Sequence, residues 1–242
     1  MIRRSLRHLL LAALLPAFAG PAAAHYLWLE REGDAARLYF GEAAEVREQS
    51  PGRLDEMPAP RLWDLSAAAE RKLARRAGSF LGEGRVGPHL AAVEEGYAVK
   101  DWTRYGHGVV KPLFYARYSP WPVRQAVPAA PELRLDVQPL PGAAPRAAVL
   151  FDGKPLAGAK LIVTAPNGWQ QEHKADEQGQ VALALPWRGQ YVLEVVHREA
   201  VAGEFQGQRY EAKRHRATLT LVRRDGLAAA GTGTLAPKHA ER

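Results

Sequence analysis

The chain has 242 residues, no cysteine, and 33 basic against 26 acidic residues, a formal net charge of +7. The missing cysteines exclude disulfide scaffolds, thiolate metal sites and cysteine nucleophiles together, while the length suffices for one or two cored domains. Three of the basic residues lie in the first seven positions, so 30 basic against 26 acidic remain beyond residue 24; interleaved as they are, they leave no electrostatic footprint for nucleic acid.

The first segment, MIRRSLRHLLLAALLPAFAGPAAA, places Arg3, Arg4 and Arg7 before an apolar run from Leu9 to Ala19 and closes on Ala22, Ala23 and Ala24. A charged start, a short apolar stretch and an A-x-A site predict a signal peptide over 1–24, cleaved after Ala24. The apolar run is far shorter than the roughly 20 residues that span a bilayer, Pro16 interrupts it, and no other segment approaches that length. The expectation is an exported, periplasmic protein with no membrane span after cleavage and with His25 as its first residue.

Residues 25–120 form the first expected domain, rich in β structure. HYLWLE (25–30) alternates as a half-buried strand, and EGDAARLYFGE turns and returns as a second. Residues 48–60 are rich in Pro, Gly and charge and read as a loop, RLWDLS (61–66) as a short strand. AAAERKLARRA (67–77) is the one helix-compatible stretch; a strand pair carrying surface charge is the alternative. GEGRVG (82–87) matches G-x-G-x-x-G, but Pro88 and a β-prone run follow it where a dinucleotide site needs a helix, so it reads as a turn. Residues 89–102 carry strand material around a turn, and VVKPLFYARY (109–118) is a β-prone run in which Pro112 suggests an edge or a bulge.

SPWPVRQAVPAAP (119–131) holds four prolines and one charge and is the expected junction, extended and semi-rigid. Residues 131–223, the second domain, consist of short alternating strands spaced by Gly, Pro and Asp turns, the pattern of a small β-sandwich. The fold class expected is therefore all-β, with two immunoglobulin-like or carboxypeptidase-regulatory-like sandwich units, and residues 224–242 are expected to be a disordered tail.

No hydrolase motif, zinc-protease motif or phosphate-binding loop is present, and the few serines sit in no elbow-like context, so no enzymatic activity is expected. Histidines are the better candidates. A first-residue His25 offers an α-amine and an imidazole on one residue, a chelating pair suited to Cu(II) or Ni(II). YVLEVVH (191–197) and RYEAKRHRATLTLV (209–222) read as successive antiparallel strands, and a turn centred near residue 206 sets His197 directly opposite His215. Opposed residues have Cβ atoms roughly 4.5–5.5 Å apart, close enough to share a metal. His25, His197 and His215 are thus the expected ligands of one site; His107, between glycines in RYGHGVVKP, is held in reserve, and the other histidines read as surface or strand-end residues.

Five segments together carry a resemblance: A-HYLWLE after the leader, DWTRYGHGVVKPLFYAR (101–117), FDGKPLAGAKLIVTAP (151–166), ADEQGQVALALPWRGQYVLEVVH (175–197) and GEFQGQRYEAKRHRATLTL (203–221). They resemble the bacterial periplasmic family called domain of unknown function 4198, associated with nickel or cobalt uptake. What the resemblance implies is capture or delivery of a divalent transition metal (nickel, cobalt or copper) outside the cytoplasm, near an outer-membrane receptor or uptake transporter. Its implied ligands are His25, His197 and His215. The alternative is a non-metal sandwich module contacting carbohydrate or protein through Tyr26, Trp28, Trp102, Tyr105 and Trp121. A copper monooxygenase is a third possibility that no further sequence feature supports.

Overall fold

In a computed structural model of the chain, residues 25–130 and 132–229 are described; the expected signal peptide and residues 230–242 of the expected tail lie outside them. The order of elements is β1 (Tyr26–Glu32), β2 (Ala35–Glu42), β3 (Val46–Arg47), β4 (Arg61–Asp64), β5 (Ala69–Arg71), β6 (Leu73–Arg76), β7 (Ser79–Gly82), β8 (Leu90–Glu94), β9 (Lys100–Asp101) and β10 (Val109–Pro120). There follow β11 (Leu135–Pro139), β12 (Arg146–Phe151), β13 (Lys154–Pro155), β14 (Lys160–Thr164), β15 (Gln170–Lys174), β16 (Gln180–Ala182), β17 (Gly189–Glu199), β18 (Gly203–Phe205), β19 (Gln208–Tyr210) and β20 (Ala212–Arg223). Two short 3₁₀ turns, Arg53–Glu56 and Thr103–Tyr105, are the only helical segments among the described residues.

These strands make three layers. The middle sheet runs β15-β14-β17-β20-β10-β8-β4-β5, with β9 on the end of β10. A sheet of β1, β2, β3, β6 and β7 packs on one face, and a sheet of β11, β12, β13 and β16 on the other. Strand alternation divides the apolar residues between two cores. Phe114, Ala116 and Tyr118 of β10 meet Leu27, Leu29, Leu38 and Phe80 on the first side. Leu113 and Tyr115 of the same strand meet Leu135, Val137, Val149, Leu193 and Leu219 on the second. β10 and β20, covered on both faces, are paired in parallel from Val110–Ala212 to Pro120–Val222, and β10 is buried along almost its whole length, as expected for a strand sandwiched between layers.

The two expected sandwich units are present as these two cores, but they share the middle sheet. Strands from 25–120 and from 131–223 are hydrogen-bonded side by side, so the proline-rich segment 119–131 does not separate independent bodies. Trp121, Val123 and Ala130 are themselves in the second core. That segment is pinned because its apolar residues can reach the core and because Pro128 gives its carbonyl to Arg117 Nη1 at 3.1 Å.

Two local expectations change. Residues 67–77 form no helix: β5 pairs with β4 in the middle sheet and β6 with β7 in the outer one, so this is the strand alternative, with the chain crossing between layers at Lys72. β10 is central, not an edge. Pro112 is tolerated there because the ladder toward β8 and β9 is interrupted opposite it: Val110 pairs with Lys100 and Phe114 with Glu94. Lys111 fills the break, its Nζ donating to the carbonyls of Tyr97 at 2.7 Å and Pro112 at 3.1 Å, and also to that of Glu95. Lys111→Met should lower the unfolding free energy by about 2 kcal/mol, because buried carbonyls lose their donor. Urea denaturation checks this, and an unchanged midpoint would show that water replaces the ammonium.

The GEGRVG segment is a turn, as its context predicts. Gly84 has φ +76°, and the buried Asp64 carboxylate accepts from the Gly87 N–H at 2.9 Å. Burial raises the Asp64 carboxyl, but that bond, together with those from Arg71 and Ala67, outweighs it and holds the group below its ordinary range.

Candidate functional site

The β17–β20 ladder runs from Gly189–Arg223 to Glu199–Lys213 and sets His197 opposite His215, the register the sequence predicts. Their ring centroids are 6.3 Å apart, and Phe151 packs on both rings. His215 is fully buried. Its Nε2 lies 3.0 Å from Glu199 Oε2 and its Nδ1 3.0 Å from the Tyr115 hydroxyl. A carboxylate only accepts, so Nε2 carries the proton, and Tyr115 donates to Nδ1. Burial pushes the His215 pKa down to about 4, which keeps the ring neutral and the tautomer fixed.

Arg134 completes this network. Its guanidinium takes Asp152 through Nε and Nη2 at 2.7 and 2.8 Å, and Glu199 through Nη1 and Nη2 at 3.1 Å each. The Arg134 bonds, followed by the bond from His215, bring the Glu199 pKa down to about 2 against a smaller rise from burial. Tyr115, Arg134, Asp152 and Glu199 were not singled out by sequence reasoning. Glu199 alone was accessible to it, two residues beyond His197 and so on the same face of its strand. Both nitrogens of His215 are thus already engaged in hydrogen bonds; His197, half-buried, has no hydrogen bond among the described residues.

His25 is elsewhere. Arg216, next in the chain after His215, points to the opposite face of the middle sheet, and its Nη1 donates to the His25 carbonyl at 2.8 Å. Thr218, two residues on, donates to the Leu27 carbonyl at 2.7 Å. β1 therefore lies across the face away from His197 and His215, and the three histidines do not converge. The physical reason is the period of two: neighbours along β20 serve different layers.

Around His25 the chain gathers carboxylates instead. Its Nε2 makes a hydrogen bond with Glu48, Nδ1 is 3.8 Å from Glu42 Oε1, and the three side chains are largely shielded from solvent. Arg53 Nη1 is 3.5 Å from Nε2, and the ring packs on Phe40 at 5.4 Å. The hairpin sets this up: Tyr26 pairs with Gly41, so His25 comes level with Glu42. Burial, then the charge of Glu45, raises the Glu42 pKa, while His25 and Arg216 lower it.

His107 belongs to this face as well. Burial, then Arg214, Arg216 and Arg198, pushes its pKa down. His89 bonds Ser119 and His173 bonds Gln171, away from either cluster, and His239 lies outside the described residues. Of the aromatics expected to form a contact surface, Tyr26, Trp28 and Trp121 are buried; Tyr26 and Trp28 pack with Tyr39 and Val192, and Trp121 lies in the second core.

The fold and these clusters define an all-β, layered sandwich protein whose conspicuous polar residues are histidines held by carboxylates. Residues 136–199 match the family model of the Domain of unknown function (DUF4198), the family that the sequence resembles. The match takes in β12 to β17 with His197 and Glu199, and neither His25 nor His215. No curated protein and no solved structure matches the chain. Among the described residues no helix is long and apolar enough to cross a membrane.

Proposed function

We propose that this is an extracytoplasmic protein that binds a divalent transition metal at His25 and serves its uptake or delivery. The observation that carries the reading is the His25 imidazole set between Glu48 and Glu42 at the head of β1. With Glu48 holding the ring at Nε2, the donors left for one metal are Nδ1 and the Glu42 carboxylate, which suit nickel, cobalt, copper or zinc without selecting among them; copper is the tightest binder on general grounds. Among the described residues no three His, Asp or Glu side chains already form a metal group. Cleavage after Ala24 would supply the further donor, an α-amine on His25 itself. Burial, ahead of the charge of Glu45, weakens the acidity of Glu42, and a cation bound there would oppose both effects. His215 is left out because a metal there would have to displace Tyr115 or Glu199, and His197 stays with it on the far face. A transporter or receptor partner follows from the family resemblance alone, and a non-enzymatic role from the missing catalytic motifs.

Calorimetric titration of Ni(II) and Cu(II) tests the reading on protein beginning at His25 and on protein retaining one extra residue before it. The first should bind one metal per chain. The second, and His25→Ala, should bind at least about tenfold more weakly, the loss that even an outer partner of a ligand can cause, while His197→Ala should bind unchanged. Equal affinity in the extended protein rejects the site.

A non-metal contact module is the second reading, favoured by one observation. Trp169, 52 % exposed, stands edge-on to Trp187 at 5.5 Å, an apolar surface feature apart from His25 that flat metal titrations would bring forward.

A further inference from the structure

The face of the middle sheet that carries β1 also carries a row of cations. Arg198 of β17 and Arg214 of β20 are directly opposite in the antiparallel ladder, and Arg216, two residues on, shares their face. Like charges placed directly opposite are destabilising in a sheet. Arg216 has its counter-charge, Glu194 at 2.9 Å. Arg198 and Arg214 have none in contact: among the described residues neither makes a hydrogen bond or ion pair. Exposed Glu211 lies against Gly108 and pairs with neither.

Arg214 is nevertheless held in place. Its guanidinium sits over the Trp102 ring, 5.4 Å from the centroid. The loop that presents Trp102 is closed by its own backbone: Trp102 N donates to Gly108 O at 2.9 Å and His107 N to Trp102 O at 3.1 Å. Gly106 and Gly108 adopt φ of +77° and +71° to allow this. The loop brings His107 to the same group of cations. Burial, then Arg216, brings the Arg214 pKa down to about 10 against a smaller opposing effect of Glu194, consistent with a cation partly removed from water with no anion in contact.

We infer that Arg198, Arg214 and His107, backed by Arg216 and braced by Trp102, form a binding site for a small, multiply charged oxyanion of the phosphate or polycarboxylate class. Planar guanidinium groups suit such ligands because each offers two parallel N–H donors to a pair of oxygens. An oxyanion bridging Arg198 and Arg214 would replace their mutual repulsion with two charge-assisted contacts. His107, as a neutral imidazole, can add one N–H. The site does not depend on metal at His25, and either can exist without the other.

Equilibrium titration with inorganic phosphate and, separately, with citrate tests this in buffer free of divalent metal and at low ionic strength. Saturable 1:1 binding of at least one is expected, weakening as salt is raised. Arg214→Gln and the exposed Arg198→Gln should each reduce affinity at least about tenfold, as loss of a charge-assisted contact does. Arg209→Gln, on an exposed strand elsewhere, should leave it unchanged. Phosphate without citrate assigns a tetrahedral anion, and the reverse a polycarboxylate. Since Arg214 is partly buried, its variant is compared by thermal melting, and Arg198→Gln decides if that variant is unfolded. The inference is overturned if neither ligand saturates by about 10 mM, tenfold above a millimolar Kd. Binding that survives Arg198→Gln and a folded Arg214→Gln at full strength overturns it as well.

Discussion

Asp136→Leu is expected to lower the unfolding free energy by about 3–5 kcal/mol, the usual result of stranding one member of a buried ion pair. Arg117 of β10 and Asp136 of β11 are 1 % and 5 % exposed as side chains, and they meet through two bonds, Nε–Oδ1 at 2.9 Å and Nη2–Oδ2 at 2.7 Å. The pair ties the middle sheet to an outer one, and through Pro128 it also holds the proline-rich connection. Without the carboxylate, Arg117 is a charge among apolar side chains with one carbonyl left to bond. The double variant Arg117→Met/Asp136→Leu should regain most of the loss, because it removes both charges and keeps volume near the contact. Urea denaturation of the two single variants and the double variant measures the coupling. A double variant as unstable as the sum of the singles would mean that the pair acts through something other than mutual neutralisation.

The second large effect is acid lability centred on His215. The folded protein holds this ring neutral down to about pH 4, whereas in the unfolded chain it takes a proton near 6.5. Below pH 6.5 the unfolded state therefore binds more protons, so stability is complete above 6.5 and is lost as the pH falls toward 4. At 1.36 kcal/mol per pH unit the loss from this group is about 3 kcal/mol. Glu199 acts with the same sign in a lower window: its folded pKa of about 2 means that its contribution, present above 4.5, declines as the pH falls from there to 2. His215→Gln can still donate to Glu199 and accept from Tyr115, but it cannot titrate. Its unfolding free energy should fall less steeply than that of the parent between pH 7 and 4.5. His197, also pushed down by burial, accounts for some of the slope that remains. Equal slopes in parent and variant would remove His215 from the account.

Much of this protein was legible in its sequence wherever the information is local. Alternation in HYLWLE and LYFG marks β1 and β2, and the short turn between them fixes the register that brings His25 level with Glu42. The spacing of His197 and His215 about a glycine-containing turn predicts their opposition, which the ladder reproduces. Glu48 was not legible as a partner of His25, because it returns to the ring through β3 and the loop after it. Nor was Tyr115, 100 residues from His215 in the chain and brought to it by the parallel pairing of β10 with β20. Parallel neighbours are joined by long connections and leave no short-range signature.

By itself the sequence determined an all-β chain, most of its strands and turns and the opposition of His197 and His215, since residue period and turn chemistry act over a few positions. Only the tertiary structure decided that two sandwich units share a sheet, that Trp121, Val123 and Ala130 of the proline-rich segment reach the core and that His25 and His215 face opposite ways. Those outcomes depend on which strand lies beside which and on which layer covers each face. A side chain's address is then set by parity within its strand and by layers assembled from distant segments, so one step along β20 carries the chain from a buried histidine to an arginine that reaches His25.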